Sequence, residues 1–200
     1  MEPVKVEGTP ASNLALAEYA RIPIAFEVRE ILELGTSVDA LAGRPLVARP
    51  LSAPYTKDYD AFVEEGPLRW AGSFDLSYWQ LFAATIGGRN VGAAAVVLGS
   101  PEVEMCEARS DLAVLWDIRV PFEERRHGVG SALLRAVEEW ARAKGARCLK
   151  IETQDTNVPG CRFYARHGYM LGAIRHHAYP QLPDEIQLLW YKQLLVDGAG

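Results

Sequence analysis

The sequence predicts an α/β fold, a mixed sheet with helices on its faces. Three observations predict it. Two apolar runs, Trp79–Ile86 and Val91–Leu98, flank Gly87-Gly88-Arg89-Asn90, a strong hairpin signal. A strand over 112–120, a helix over 128–144 and a strand over 147–153 then follow closely, a crossover whose strands run parallel. Two more strand-like runs, Tyr169–Ile174 and Ile186–Leu194, follow a second helix.

The chain of 200 residues is read as one domain over 1–200, with a core at 79–195 and an N-terminal elaboration at 1–78. Hydrophobic residues make up 49% and charged residues 24%, the balance of a soluble globular protein. A formal charge of −5 leaves no electrostatic footprint for nucleic acid, and no Lys/Arg run marks a membrane surface. Neither partner is expected. Cys106, Cys148 and Cys161 form no CxxC pair, which predicts three reduced thiols in a cytoplasmic protein rather than a metal site or disulfides. Residues 1–10 lack a signal peptide's apolar stretch, and Val91–Leu98 is too short to span a bilayer.

In chain order, a polar lead-in ends in a short helix at Leu14–Tyr19, and Ile22–Val28 alternates as a strand. A helix is expected at Arg29–Leu34, stopped by Gly35. Residues 43–73, rich in Pro, Gly and aromatics, give no clear element. In the strand at 112–120, alternation puts Trp116, Ile118 and Val120 on one face and Leu115, Asp117 and Arg119 on the other. The following helix carries an apolar stripe of Val129, Leu133, Val137 and Trp140, with Arg135–Glu139 and Glu138–Arg142 pairs outside and Gly145 as its stop. Pro159 opens the second helix, which closes at Gly168.

The sharpest feature is Arg125-Arg126-His127-Gly128-Val129-Gly130, set between a strand and a helix. Glycines let a backbone approach an anion closely, and a helix N-terminus offers N–H groups and a favourable dipole. Flanking arginines add charge-assisted hydrogen bonds. A glycine-containing helix start with solvated arginines also fits. A dinucleotide fingerprint has an acid in the right place, Glu152, but puts Leu133 where the third glycine belongs. A P-loop needs a Lys-Ser/Thr pair that is absent.

Arg125, Gly128 and Gly130 match the Gln/Arg-x-x-Gly-x-Gly/Ala motif of the GNAT superfamily of N-acetyltransferases, which the chain resembles over roughly 79–195. Asn157 and Tyr164, seven apart, are similar to the family's Asn and Tyr pair, and Phe163-Tyr164-Ala165-Arg166-His167-Gly168-Tyr169 to its helix end and following strand. Leu115–Val120, Lys57-Asp58-Tyr59-Asp60 and Leu182-Pro183-Asp184-Glu185 look like streptothricin acetyltransferases, which acylate an amine of an aminoglycoside-like antibiotic. Arg126 stands where many members carry Gly.

The resemblance implies a mostly antiparallel sheet of six to seven strands, with a V-shaped splay between the fourth and fifth core strands. It implies acetyl-CoA as cosubstrate, a small-molecule amine as acceptor, and a monomer or homodimer. The backbone of Ile118, Arg119 and Val120 would pair with the pantetheine arm. Arg125, Arg126, His127, Gly128, Val129, Gly130 and Ser131 would cradle the pyrophosphate, and Asn157 would contact the cofactor near its thioester. Asn157 also sits where it can cap the second helix. Tyr164 would protonate the leaving thiolate from about 3 Å, unless it is simply a packed core aromatic. Asp117 and Glu152 are carboxylates in apolar strands, whose desolvation cost marks them as base candidates or as partners in ion pairs. His176-His177 point opposite ways on a strand and are no metal pair, and nothing places a His to activate Cys161. Direct attack in a ternary complex is therefore expected. Acetylation of a protein or peptide amine and a noncatalytic acyl-CoA sensor are the alternatives.

Overall fold

The computed structural model describes residues 2–35, 46–61 and 66–194. Its strands are β1 (Lys5–Pro10), β2 (Phe26–Leu34), β3 (Leu46–Lys57), β4 (Trp79–Ile86), β5 (Arg89–Leu98), β6 (Leu112–Arg119), β7 (Cys148–Gln154), β8 (Met170–Arg175) and β9 (Gln187–Gln193). Its helices are α1 (Asn13–Tyr19), α2 (Pro67–Ser73), α3 (Val129–Ala143) and α4 (Val158–Arg166). Among the described residues, seven strands form a sheet in the order β1-β4-β5-β6-β7-β9-β8, and β2 pairs with β3. The pairs β1/β4, β4/β5, β5/β6 and β8/β9 are antiparallel, so the mixed α/β fold with a mostly antiparallel sheet is as expected.

The chain divides into two compact units. The first comprises Met1–Phe26, Asp58–Leu149 and Gln193–Gly200. Here β4 and β5 meet through the Gly87-Gly88 turn, and β5 is buried from Val91 to Val97. One face of these strands packs Trp79, Leu81, Ala93, Ala95, Val97 and Val114 against Leu16 and Tyr19 of α1 and Trp70 of α2. The Trp70 ring stacks on Trp79 at 5.6 Å, and Trp116 meets Trp79 edge-on at 5.3 Å. Ser12 caps α1 by accepting from the Ala15 N–H at 3.2 Å. Helix α3 covers the opposite face with Val129, Leu133, Leu134 and Val137, and Trp140 is only half-buried. Arg142 pairs with Glu138 at 3.1 Å, as the spacing requires.

The second unit comprises Glu27–Lys57 and Lys150–Lys192. Strands β8 and β9 run from Met170↔Tyr191 to Arg175↔Gln187, and α4 ends in a Schellman turn. In that turn the Tyr169 N–H donates to the Tyr164 carbonyl and the Gly168 N–H to the Ala165 carbonyl, each at 3.1 Å. The turn brings the Tyr164 and Tyr169 rings edge-on at 5.8 Å.

Four expectations need correction. The stretch Arg29–Leu34 is strand rather than helix: Phe26, Val28 and Leu32 are buried along β2, and strand pairing overrides good helix formers. The lead-in holds β1, an exposed strand laid along β4 from Lys5↔Thr85 to Pro10↔Gln80. The unreadable stretch holds β3 and α2; β3 buries only Leu46 and Lys57 and carries Pro50 and Pro54, so it shows no apolar alternation. Finally, β6 contains a bulge. Ala95 pairs with Asp117 and Val96 with Leu115, which leaves Trp116 without a partner across the ladder. Asp117 therefore shares the face of Ala95, where Trp116 also packs, and the two are not on opposite faces.

The β5–α3 seam leaves no room for a side chain at Gly92. A Cβ there would lie 2.8 Å from Val129 Cγ1 and 2.9 Å from the Arg119 carbonyl oxygen. Gly92→Ala is expected to cost about 1–3 kcal/mol, read as a lower urea midpoint. An unchanged midpoint would contradict this packing.

Candidate active site

The loop between β6 and α3 leaves its backbone exposed at 126–128. Arg126, His127 and Gly128 are exposed, and α3 begins at Gly128 with no side-chain cap and no acidic residue in its first turn. The first-turn N–H groups of Val129 and Gly130 have no capping side chain at Gly128. An anionic pyrophosphate fits that arrangement. Arg126 adopts φ 67 and Gly128 φ 84. The first of these is the left-handed region that glycine occupies without cost. That explains why Gly suits position 126 and why Arg there is strained.

Arg125 does not reach into the loop. Its Nε donates to the Val120 carbonyl and its Nη2 to the Ala25 carbonyl, both at 2.9 Å. It is a strut that fixes the loop's entry, and burial lowers its pKa. Ile118 is half-buried opposite Ala94, and Val120 follows the strand end.

Arg119 is 2% exposed in its side chain and holds two carboxylates. Its Nη1 and Nη2 donate to Asp60 at 2.7 and 2.9 Å, its Nε to Asp117 at 2.8 Å, and its Nη1 to the Ile22 carbonyl at 3.2 Å. The Tyr19 ring lies 5.1 Å below the guanidinium. Burial opposes the charge on Arg119, but Asp117 and Asp60 outweigh it and raise its pKa. Burial also raises Asp117, with Arg119 pulling the other way. Asp117 is thus committed to an internal ion pair.

Glu152, on β7, is held differently. The Tyr179 hydroxyl donates to its Oε1 at 2.7 Å and Gln187 Nε2 to its Oε2 at 2.8 Å. Both donors are neutral. Burial raises its pKa from the ordinary glutamate value, and these two hydrogen bonds, with Lys150 and Arg175, oppose the rise. Asn157 caps α4, its Oδ1 accepting from the Gly160 N–H at 3.0 Å. Tyr164 is 6% exposed, one α4 turn beyond Gly160. Cys161 lies 3.3 Å from the Thr153 hydroxyl, and burial pushes its thiol up to about 12, so it is no thiolate nucleophile at neutral pH. His176 and His177 are exposed, and no group of three or more His, Cys, Asp or Glu among the described residues is placed to hold a metal. No described helix is long and apolar enough to cross a membrane.

Residues 48–169 match the Acetyltransferase (GNAT) family. The chain belongs to that family. It is 41% identical over 81 residues to streptothricin acetyltransferase A of Bacillus subtilis, covering 40% of this chain and 47% of that protein. It is 33% identical over 93 residues to a streptothricin acetyltransferase of Escherichia coli, covering 45% and 53%. The chain thus spans about half the length of the curated relatives it matches. A Bacillus anthracis protein described as a streptothricin acetyltransferase, solved in complex with acetyl coenzyme A, shares the fold. Its TM-score is 0.73 at 21% identity, over 96% of this chain and 99% of that one.

The second unit contains Glu152, Asn157 and Tyr164, and the first contains the loop before α3 and the Arg119 cluster. Sequence reasoning missed Tyr179 and Gln187 as partners of Glu152, and Asp60 as the second carboxylate on Arg119. A polar residue opening the apolar Leu188-Leu189-Trp190 run was a usable signal for Gln187; Tyr179, in an irregular segment, gave none.

Two outcomes are expected from this geometry. Arg119→Met leaves Asp117 buried without its cation and should cost about 3–5 kcal/mol in urea unfolding. A loss under 1 kcal/mol, about what an exposed pair contributes, would mean the cluster is solvated. Arg126→Gly relieves the left-handed strain and should gain about 0.5–1 kcal/mol by the same measurement.

Proposed function

We propose that this GNAT chain transfers the acetyl group of acetyl-CoA to a primary amine of a small molecule of the streptothricin type. The relatives named above supply the acceptor class, and the three free, buried cysteines suit a reducing cytoplasm. The observation that carries the reaction is Glu152, a half-buried carboxylate held by neutral donors with its proton affinity raised. A carboxylate with raised proton affinity suits the proton removal that an amine acceptor requires, because an ammonium has no lone pair. Asp117 is the weaker candidate for the same task, since Arg119 already holds it.

In the proposed step, Glu152 removes one proton from the ammonium. The freed lone pair forms the C–N bond at the thioester carbonyl as the C–S bond breaks. Tyr164 gives its proton to the departing sulfur, and the surplus proton on the new amide nitrogen restores the phenol. No covalent intermediate on the protein is needed. The backbone from Arg126 to Ser131 would hold the pyrophosphate, and the Nδ2 of Asn157 remains to contact the cofactor while Oδ1 caps α4. The backbone of Ile118 to Val120 would meet the pantetheine arm.

Free-thiol release from acetyl-CoA with streptothricin as acceptor tests the proposal. Turnover is expected, and Tyr164→Phe should lower kcat by about 10²-fold at neutral pH, with acetyl-CoA binding retained. No turnover with streptothricin, polyamines or lysine would sink the reading. A Tyr164→Phe kcat equal to wild type would remove Tyr164 as the acid.

A further inference from the structure

An acceptor amine needs both a proton acceptor and lone pairs arranged for an ammonium group. Glu152 sits in a directed hydrogen-bond chain. Gln154 Nε2 donates to the Tyr179 hydroxyl at 2.9 Å, which turns that hydroxyl's own proton onto Glu152 Oε1. On the other oxygen, Gln187 donates through Nε2. Reversing the Gln187 amide would set its carbonyl against the carboxylate, so its direction is fixed by charge.

That direction leaves something over. Gln187 Oε1 is buried and has no hydrogen-bond partner among the described residues. A buried acceptor without a donor costs about 1–3 kcal/mol, a cost that an incoming N–H removes. Oε1 and Nε2 share one carbon, so the carbonyl oxygen lies within roughly 5 Å of the carboxylate. One nitrogen donating to both oxygens at about 2.9 Å spans such a gap. Among the described residues, each Glu152 oxygen accepts one of these donors and retains a second lone pair. The other titratable or charged groups acting on Glu152 are Lys150 and Arg175, which favour its anion without bonding to it.

We infer that Glu152 and Gln187 Oε1 form the subsite for the acceptor's primary ammonium group, with Tyr179 as the positioning residue of the carboxylate. The inference rests on the N-acetyltransferase reading and names where the acceptor nitrogen binds. A primary ammonium with three N–H donors fills this pair of acceptors and gives one proton to Glu152. A fully substituted nitrogen has neither the donors nor the proton to lose.

The test compares Gln187→Leu and Tyr179→Phe with the wild-type full chain, using streptothricin as acceptor and free-thiol release. Acetyl-CoA affinity by calorimetry serves as the check that each variant is folded. Gln187→Leu should raise the KM for streptothricin by about tenfold or more, with acetyl-CoA affinity unchanged. Tyr179→Phe removes a donor to the anion, so the Glu152 pKa rises further and the acid limb of kcat/KM moves to higher pH. Streptothricin KM unchanged in Gln187→Leu, with the acid limb unmoved in Tyr179→Phe, overturns the subsite and leaves the acetyltransferase reading standing. Wild-type protein that releases no thiol with any primary amine overturns both.

Discussion

A charge buried in protein must be matched by partners, and in this chain Arg119 imposes that constraint on three separate segments of the first unit. The guanidinium sits at the end of β6, where it collects Asp117 from its own strand, Asp60 from the turn after β3 and the carbonyl of Ile22 beyond α1. None of these is a neighbour in sequence except Asp117. The bulge at Trp116 makes the arrangement possible, since it rotates Asp117 onto the face where Tyr19 and the aromatic cluster lie. Six residues on, Arg125 repeats the device with two carbonyls and fixes where the loop before α3 starts. The loop can then be exposed because its half-buried anchor is satisfied by two carbonyls.

The two carboxylates singled out from the sequence have become different chemical objects through their partners. Asp117 is neutralised by a cation and belongs to the architecture. Glu152 is surrounded by neutral donors, so its negative charge is stabilised without being cancelled, and burial keeps its affinity for a proton high. Hydrogen bonds from neutral groups preserve basicity in a way an ion pair does not. Sequence position alone, in the middle of an apolar strand, made the two look alike.

What was legible in the sequence is what the local chain determines. The β4–β5 hairpin, the apolar stripe of α3 and the glycine stops at 145 and 168 all follow from periodicity and turn chemistry within a few residues. The unreadable parts are those fixed from afar. Strand β1 is exposed and has no pattern of its own until β4 supplies a ladder. Strand β3 is polar and proline-bearing, and β2 carries helix-forming residues that pairing overrides. The same holds at the candidate site. The partners of Glu152 lie 27 and 35 residues downstream, and no spacing rule links them. The sequence offers Asn157 as a cofactor contact or as a helix cap; the cap is present, and the carbonyl side of its amide is thereby spoken for.

Acetyl transfer from acetyl-CoA onto a primary amine is the reaction proposed for this GNAT chain. Mass spectrometry of streptothricin incubated with the protein and acetyl-CoA tests it most directly. A product heavier by one acetyl group is expected, with the modification on a primary amine and one CoA thiol released per product. Unmodified streptothricin, or an acetyl group found on a hydroxyl, would contradict it.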